Sequence, residues 1–514
     1  MNPLRAPAGD LPFALSPRLR AALALALAVV LVLFGWLVSA HSVVALAALV
    51  FAAVFAAIVL IEDSVLYALP FVLILPNLGV MIPGLYAVLI WDAFTVGFFG
   101  GVIARRVLTG RAVVTIDPWF RRLLFLFVAI AAASLIQGVL AGAGVFMKGL
   151  KEVIRLVELT LFLVALASEL TSEDRVLVLA RNVVVAGVVS LVIALSCYVW
   201  FPDFIHQLMT LKRVYVLLGT YRLRMVSTAG DVAETAQFFL MMLGIAGYFA
   251  FRGAARARPL GLLAAGGFLV AVFLTYNKGT WLALLVGMGI AIVRGGSRHR
   301  GPAVLAVVLV LAAVLLLFQV RDEENVDILA SDLAHVTRSS GLIRIQRWFA
   351  LQNVLTRHPL LGVGYNTFAY IYGEYSTEPG AGRPYGHPHN LFADILAGTG
   401  LVGFSAFMMM GLRLARLARR NTAEAPTPRL RDLSFTLYVV LWFFLAGNMA
   451  TSYLFKPEHP AFLMAMVAAM ILAIHRLALA AGPPAPDTPP ASGRLRGTRP
   501  VAPERPSPAA GSGR

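Results

Sequence analysis

Apolar runs near 20 residues long recur along almost the whole chain, and short polar loops separate them. An α-helix needs a run of about 20 residues to cross the hydrocarbon core of a bilayer. We distinguish fourteen apolar segments, at about residues 21–40, 43–61, 65–83, 85–104, 123–142, 150–168, 182–201, 233–251, 259–276, 280–293, 302–319, 389–412, 432–452 and 461–479. The pattern therefore predicts an all-α polytopic transmembrane helix bundle of about 12–14 spans. The third segment is the weakest, because Pro70, Pro76 and Pro83 interrupt it, so it is expected to be kinked or only partly inserted.

The spacing of these segments divides the chain into five parts. Residues 1–20 precede the first span, residues 21–319 hold eleven spans, residues 320–388 form a long polar loop containing short helices, and residues 389–480 hold three more spans. Residues 481–514 are basic and rich in Pro, Ala, Gly and Ser, so this tail is expected to be disordered. The first run ends like a signal peptide, but its length and the spans that follow favour a retained anchor.

Composition excludes several classes of protein. Charged residues make up 13% of the chain, against about 25% in soluble proteins. The formal net charge of +17 does not indicate nucleic-acid binding, because most Lys and Arg lie in short loops where they orient helices. Cys197 is the single cysteine, so an internal disulfide is impossible. The histidines and acids show no metal-ligand spacing, and no cofactor motif is present.

Arginine-rich loops follow even-numbered segments. They come after segment 4, segment 8, segment 10 and segment 12, where they carry Arg105, Arg106, Arg111, Arg121, Arg122, Arg252, Arg256, Arg258, Arg294, Arg298, Arg300, Arg413, Arg416, Arg419, Arg420, Arg429 and Arg431. By the positive-inside rule both termini are cytoplasmic, and the two longest loops, 202–230 and 321–388, face outward.

Some cations remain on the outward side. They are Arg222 and Arg224 in the first long loop, Lys278 in a short turn, and Arg344 and Arg347 in the second long loop. A diphosphate is a natural partner for such cations, because Arg and Lys form charge-assisted hydrogen bonds with phosphate oxygens. Alternatively, the loop arginines are solvated or pair with acids of the same loops. Lys278 has no acid nearby in sequence, which favours a binding role for it.

The second long loop contains an amphipathic helix at about residues 341–356. It either lies at the membrane interface and brings Arg344 over a cavity, or forms a lid that only packs. The glycine turn at residues 362–368 can approach another backbone or a ligand closely. Further back in the chain, Glu152, Arg155 and Glu158 share a helix face and are expected to pair.

His389-Asn390 ends the long loop and opens an apolar helix predicted to run to residue 412. A histidine at this boundary can meet a lipid-anchored substrate and still exchange protons with water, which suits a general base. It can also merely cap its helix. Gly400 and Gly403, further along, indicate close helix packing.

Taken together, these stretches resemble the O-antigen ligase and polymerase superfamily of bacterial inner-membrane glycosyltransferases. The resemblance rests on residues 340–364, on His389-Asn390 followed by Gly400 and Gly403, and on Arg224 with an acid seven residues later. It covers about residues 262–407. Where that family commonly has Ser-Arg-Gly, this chain has Asn277-Lys278-Gly279.

The resemblance implies transfer of a glycan from undecaprenyl diphosphate to an acceptor hydroxyl, in lipopolysaccharide or surface-polysaccharide assembly, without metal or nucleotide. Under it, His389 is the base, and Arg224, Lys278, Arg344, Arg222, Arg347 and Asn390 bind the diphosphate or substrate. The site would face the periplasm and meet membrane lipids and an acceptor glycolipid or growing polysaccharide. Ligase and polymerase both remain open, with the ligase form of the motif favoured. Two further hypotheses for the chain are a transporter of lipid-linked sugars and a non-catalytic assembly protein.

Overall fold

The structure of the chain is a computed structural model. It describes residues 42–60, 69–74, 79–81, 87–110, 116–140, 146–200, 214–217, 220–223, 225–227, 231–295, 301, 304, 347–376, 390–449 and 459–482. The helices are α1 Ser42–Leu60, α2 Ile90–Thr109, α3 Pro118–Leu140, α4 Phe146–Glu169, α5 Glu173–Trp200, α6 Val232–Arg252, α7 Arg258–Leu274, α8 Lys278–Arg294, α9 at residues 347–357, α10 Phe368–Tyr375, α11 Leu391–Glu424, α12 Pro428–Gly447 and α13 His459–Ala481. The structure also has two short antiparallel strand pairs, Gly79–Met81 with Ala87–Leu89 and Val214–Leu217 with Thr220–Leu223.

The prediction of an all-α bundle is confirmed. Within the described residues, six helices are long and apolar enough to cross a membrane: α3, α5, α6, α11, α12 and α13. The span count itself stays a prediction, because the segments at 21–40 and 302–319 lie outside the described residues. Helix α13 is buried along most of its length, as expected of a helix that is apolar all round.

The third apolar segment is not an α-helix. It contains a short 3-10 helix, Leu69–Ile74, and the strand Gly79–Met81. The prolines explain the difference, since a ring without an N–H interrupts the helical ladder. Glycines 97, 100 and 101 of α2 lie against Phe51, Phe55 and Ile58 of α1 in ascending order, so α1 and α2 run parallel.

Contacts between helix ends separate two faces of the bundle. At one face Arg106 bonds to Glu169 at 2.8 Å and Arg413 bonds to Asp117 at 2.6 Å. We call this the arginine-rich end, which the positive-inside rule predicts to be cytoplasmic. The opposite face, where α6, α11 and α13 begin and α12 ends, is the outward end.

Helix α11 is longer than predicted. It ends at Glu424 rather than near residue 412, so Arg413, Arg416, Arg419 and Arg420 lie on its last turns and not in a loop. Side chains such as these bury their stems and keep their charges in water, which lets a helix continue beyond the bilayer.

Candidate functional site

The start of α11 is fixed by Asn390. Its side-chain oxygen accepts hydrogen bonds from the amides of Phe392 at 2.9 Å and Ala393 at 3.3 Å, and its backbone is extended. Asparagine is among the best N-cap residues because it satisfies these otherwise orphaned donors. The helix begins at Leu391, close to the predicted start. Since Asn390 supplies the cap, capping does not account for a histidine at position 389.

The same helix start is tied to the end of α12. The Leu391 amide donates to the carbonyl of Asn448 at 2.9 Å. Asn448 is the buried C-cap of α12, and its side chain donates to the Phe444 carbonyl at 2.9 Å. A buried amide needs a partner, so this bond fixes the first turn of α11 against α12.

A buried acid–histidine pair joins the starts of α6 and α13. One carboxylate oxygen of Glu234 accepts a hydrogen bond from the His459 amide at 3.1 Å and lies 3.4 Å from His459 Nδ1. Both side chains are 1% exposed. Glu234 therefore places a carboxylate at the N-terminus of α13, where the helix dipole favours negative charge. Sequence reasoning did not connect these two residues. Each opens an apolar run on the same predicted face, which indicates a shared end of the bundle but not a contact.

One turn further along α6 from Glu234, Gln237 connects α6 to α12. Its side-chain nitrogen donates to the Phe443 carbonyl at 3.1 Å. A Cβ at position 447 would overlap Gln237 Oε1, so glycine is needed at Gly447 for this approach. The ends of α6, α11, α12 and α13 are thus joined by short polar contacts.

A short segment before α6 draws α7 into the same region. The Met225 amide donates to the Leu274 carbonyl at 3.0 Å, and the Ser227 amide donates to Thr235 Oγ1 at 3.0 Å. This places the residue after Arg224 at the end of α7, four residues before Lys278.

Helix α11 is broken at Gly400, whose φ of 63° and ψ of −168° are not helical. Residues 359–364 fill the break. The amides of Val363 and Gly364 donate to Ala397 and Gly398, both at 3.0 Å. In return the amides of Leu401 and Val402 donate to the carbonyls of residues 359 and 360, at 2.9 and 3.2 Å.

This arrangement confirms that the glycine turn approaches another backbone. Gly400 was predicted to serve close helix packing, but it breaks α11 and lies against the loop backbone of Leu360, whereas Gly403 lies against Ile130 of α3. A transporter uses a broken helix to expose backbone groups to its cargo. Here four of the groups freed by the break bond to the chain itself, which weakens the transporter hypothesis.

The inserted segment also contacts α3 and α4. The Tyr365 amide donates to Ser134 Oγ at 3.1 Å, and Asn366 donates to Glu152 at 3.0 Å. Glu152 also lies 3.4 Å from Arg155, which confirms this part of the pairing predicted for Glu152, Arg155 and Glu158. The Glu152 carboxylate therefore helps hold the segment that fills the break in α11.

The structure places the predicted site residues unevenly. Lys278 is exposed at the first position of α8, after Asn277, whose side chain accepts from the Thr280 amide at 3.2 Å. Arg347 is half-buried on α9, and Asn390 caps α11. Arg222 lies in the strand Thr220–Leu223, where its backbone pairs with residue 215. His389, Arg224 and Arg344 lie outside the described residues.

An apolar cleft lies between α3, α4, α11, α12 and α13; it is partly open and has a cavity volume of about 100 Å³. Its lining is almost wholly hydrocarbon and aromatic carbon, including Phe127, Phe444 and Ala461. Phe444 lies one turn before Asn448, and Ala461 lies two residues after His459. The cleft therefore reaches the polar contacts of the outward end. Among the described residues, no group of three or more His, Cys, Asp and Glu side chains is arranged to hold a metal ion.

Residues 262–408 match a family model described as O-antigen ligase. The match begins in α7 and ends in α11, so it includes α8, the inserted segment and the start of α11. No curated protein matches the chain. The match and the six apolar helices describe a multi-pass membrane protein.

Proposed function

We propose that this chain, of which residues 262–408 match a family model described as O-antigen ligase, transfers a glycan from undecaprenyl diphosphate to an acceptor hydroxyl. The family match carries the proposal, and it supports a ligase- or polymerase-type membrane glycosyltransferase in general. The finer assignment, to a ligase acting at the periplasmic face of the inner membrane on a glycolipid acceptor, is ours.

The outward end offers a suitable environment for a diphosphate. Helices α6, α8, α11 and α13 begin at this end, with N-caps at Asp231, Asn277 and Asn390 for the first three. Each N-terminus carries partial positive charge. The contact between Met225 and Leu274 brings the sequence neighbour of Arg224 close to the start of α8, where Lys278 lies. Cations at such a place can stabilise the charge that grows on a leaving diphosphate.

The proposed reaction is a single displacement. The acceptor O–H gives its proton to His389, and its oxygen forms a new bond to the anomeric carbon. The bond from that carbon to the diphosphate oxygen breaks, and the diphosphate leaves with the electron pair. Arg224, Lys278 and Arg344 hold that diphosphate, with Arg222, Arg347 and Asn390 in support. The anomeric centre is inverted.

The apolar cleft is suited to bind the lipid tail of such a donor. A polyisoprenoid chain is hydrocarbon throughout, and the cleft offers almost no polar lining. Burial of apolar surface contributes roughly 25 cal/mol per Å², so the cleft would favour a long tail while the headgroup stays at the outward end.

The test uses purified protein and a lipid-linked glycan, offered with a lipid A–core acceptor or with more donor alone. His389→Ala should lower transfer by at least the 10² that positioned acid–base catalysis contributes, roughly 10²–10⁴. His358→Ala, at a half-buried loop histidine, is the matched control and should stay active. Transfer by His389→Ala within about tenfold of wild type would remove this residue as the base.

The two acceptor arms separate the ligase from the polymerase. Product on lipid A–core alone supports the ligase. Longer chains on the undecaprenyl carrier, formed from donor alone, support the polymerase with the same base. No glycan transfer in either arm would contradict both.

A further inference from the structure

We propose that α9 rests on the outward leaflet of the membrane, with Trp348 and Phe349 inserted between lipid headgroups and the upper acyl chains. The partner is the lipid surface itself. Trp348 and Phe349 have no part in the proposed reaction, and the inference does not depend on it.

Helix α9 has two faces of different character. Ala350 and Val354 are buried in a small cluster formed with Val363, Phe368, Ile371, Tyr372, Tyr375 and Ala397. On the other side Trp348 is 54% exposed and Phe349 is 57% exposed. A polar side chain, Gln352, shares this exposed side. Large aromatic side chains left outside a well-packed cluster mark an interaction surface.

The residues that follow α9 bond to α11 well inside its candidate membrane span. The Leu360 carbonyl bonds to the Val402 amide just past the break in α11. Gly400 is nine residues beyond Leu391, so the break lies roughly 14 Å along the helix from its start. Leu360 is 62% exposed, and at that depth its side chain faces lipid.

The lipid-facing surface continues around Leu360. Leu401 and Val402 on α11 are exposed, and so are Ile136 and Leu140 on α3. Such side chains on spanning helices can only face hydrocarbon when they are not covered by protein. Because only two residues separate Leu360 from the end of α9, the exposed aromatic side of α9 is close to this surface.

The charges around α9 also fit a lipid surface. Residues 347–357 contain two arginines and no acid. Arg357 lies over the ring of Tyr375 at 5.4 Å, and nearby Lys148 lies over the ring of Tyr370 at 4.3 Å. Aromatic residues gather at membrane interfaces, and cations there attract anionic headgroups.

The experiment places single cysteines in full-length protein after Cys197→Ser, which removes the chain's one cysteine. Trp348→Cys and Gln352→Cys probe the proposed lipid face, and the second changes only a polar side chain. Glu374→Cys, at an exposed position of α10, is the matched control. Each variant carries an environment-sensitive fluorophore and is reconstituted in vesicles of phosphatidylethanolamine and phosphatidylglycerol.

Quenching then locates each probe. The labels at 348 and 352 should be quenched by a lipid with a spin label near its headgroup and should resist aqueous iodide, while the label at 374 should behave in the opposite way. Equal iodide quenching at 348, 352 and 374 would overturn the proposal. Protection of 348 and 352 from both quenchers would overturn it too, since it would mean that protein covers this face.

Discussion

Replacing Gly400 by alanine should detach residues 359–364 from α11. The Gly400 backbone lies in a region of φ and ψ that side chains rarely adopt, and forcing one there costs about 1–3 kcal/mol. The added Cβ would also overlap both the carbonyl carbon and the carbonyl oxygen of Leu360. These are backbone atoms and cannot rotate away, so one of the two segments must move.

The four backbone hydrogen bonds across the break set the size of the effect. Each contributes about 1 kcal/mol net, so losing all four costs about 4 kcal/mol in addition to the strain. If α11 straightens instead, its own amides regain helical partners and the loss falls to about half. Either outcome is large against a folding free energy of about 5–15 kcal/mol.

Thermal unfolding in detergent, followed by tryptophan fluorescence, measures the change. Gly411→Ala is the control, because no atom beyond its chain neighbours and its own helix backbone lies within 4 Å of the Cβ it would add. Within the same helix this change should stabilise by about 0.5–1 kcal/mol, since alanine is the better helix former. If Gly400→Ala melts at the temperature of wild type and leaves glycan transfer intact, the hydrogen bonds between the loop and α11 are not what holds them together.

Three further outcomes are expected. Lys278→Ala should lower glycan transfer strongly, whereas Lys278→Arg should retain it, because a guanidinium keeps the charge and adds bidentate bonding; equal activity of both would exclude a phosphate role. Burial by itself raises the pKa of Asp117, but hydrogen bonds from Arg413 and a backbone amide outweigh it and hold the pKa below the ordinary 3.8. Asp117→Asn should therefore destabilise by about 2 kcal/mol at neutral pH. The difference should shrink as the pH falls below 3.8 and disappear once wild type is protonated, and a gap that persists in acid would contradict this. Ser376→Cys should react with an impermeant thiol reagent in intact cells, and labelling only after permeabilisation would reverse the topology.

The hydrophobic pattern was sufficient for most of the fold. Helix α13 and helix α3 are predicted within a few residues, because each is a long apolar run bounded by polar residues. The third segment was expected to be a kinked or partly inserted span. Periodicity does not show which structure replaces an α-helix that three prolines interrupt, here a short 3-10 helix and a strand. The parallel packing of α1 and α2 could be inferred only from the contacts between their residues in the structure.

The site was less accessible from the sequence. Spacing identified Asn390 at the head of α11 and the glycines of its break. It could not show that residues 359–364 complete the hydrogen bonding of that break, because the partners lie more than thirty residues apart. The Glu234–His459 pair joins positions 225 residues apart, and a single sequence contains no local signal for such a distance.

The cap at Asn390 bears on the role of the preceding histidine. A boundary histidine has two ordinary explanations, either capping the helix or serving chemistry at the interface. Capping is already performed by Asn390, because its Oδ1 accepts hydrogen bonds from the two amides at the start of the helix. Leu391 is in turn fixed to Asn448, so the backbone immediately after His389 is anchored on two sides. Acid–base catalysis requires such fixed geometry, since a displacement near 1 Å can cost about 10² in rate. The anchored helix start thus favours His389 as the base, and Asn390→Ala is expected to weaken transfer through geometry, with less effect than the loss of His389 itself.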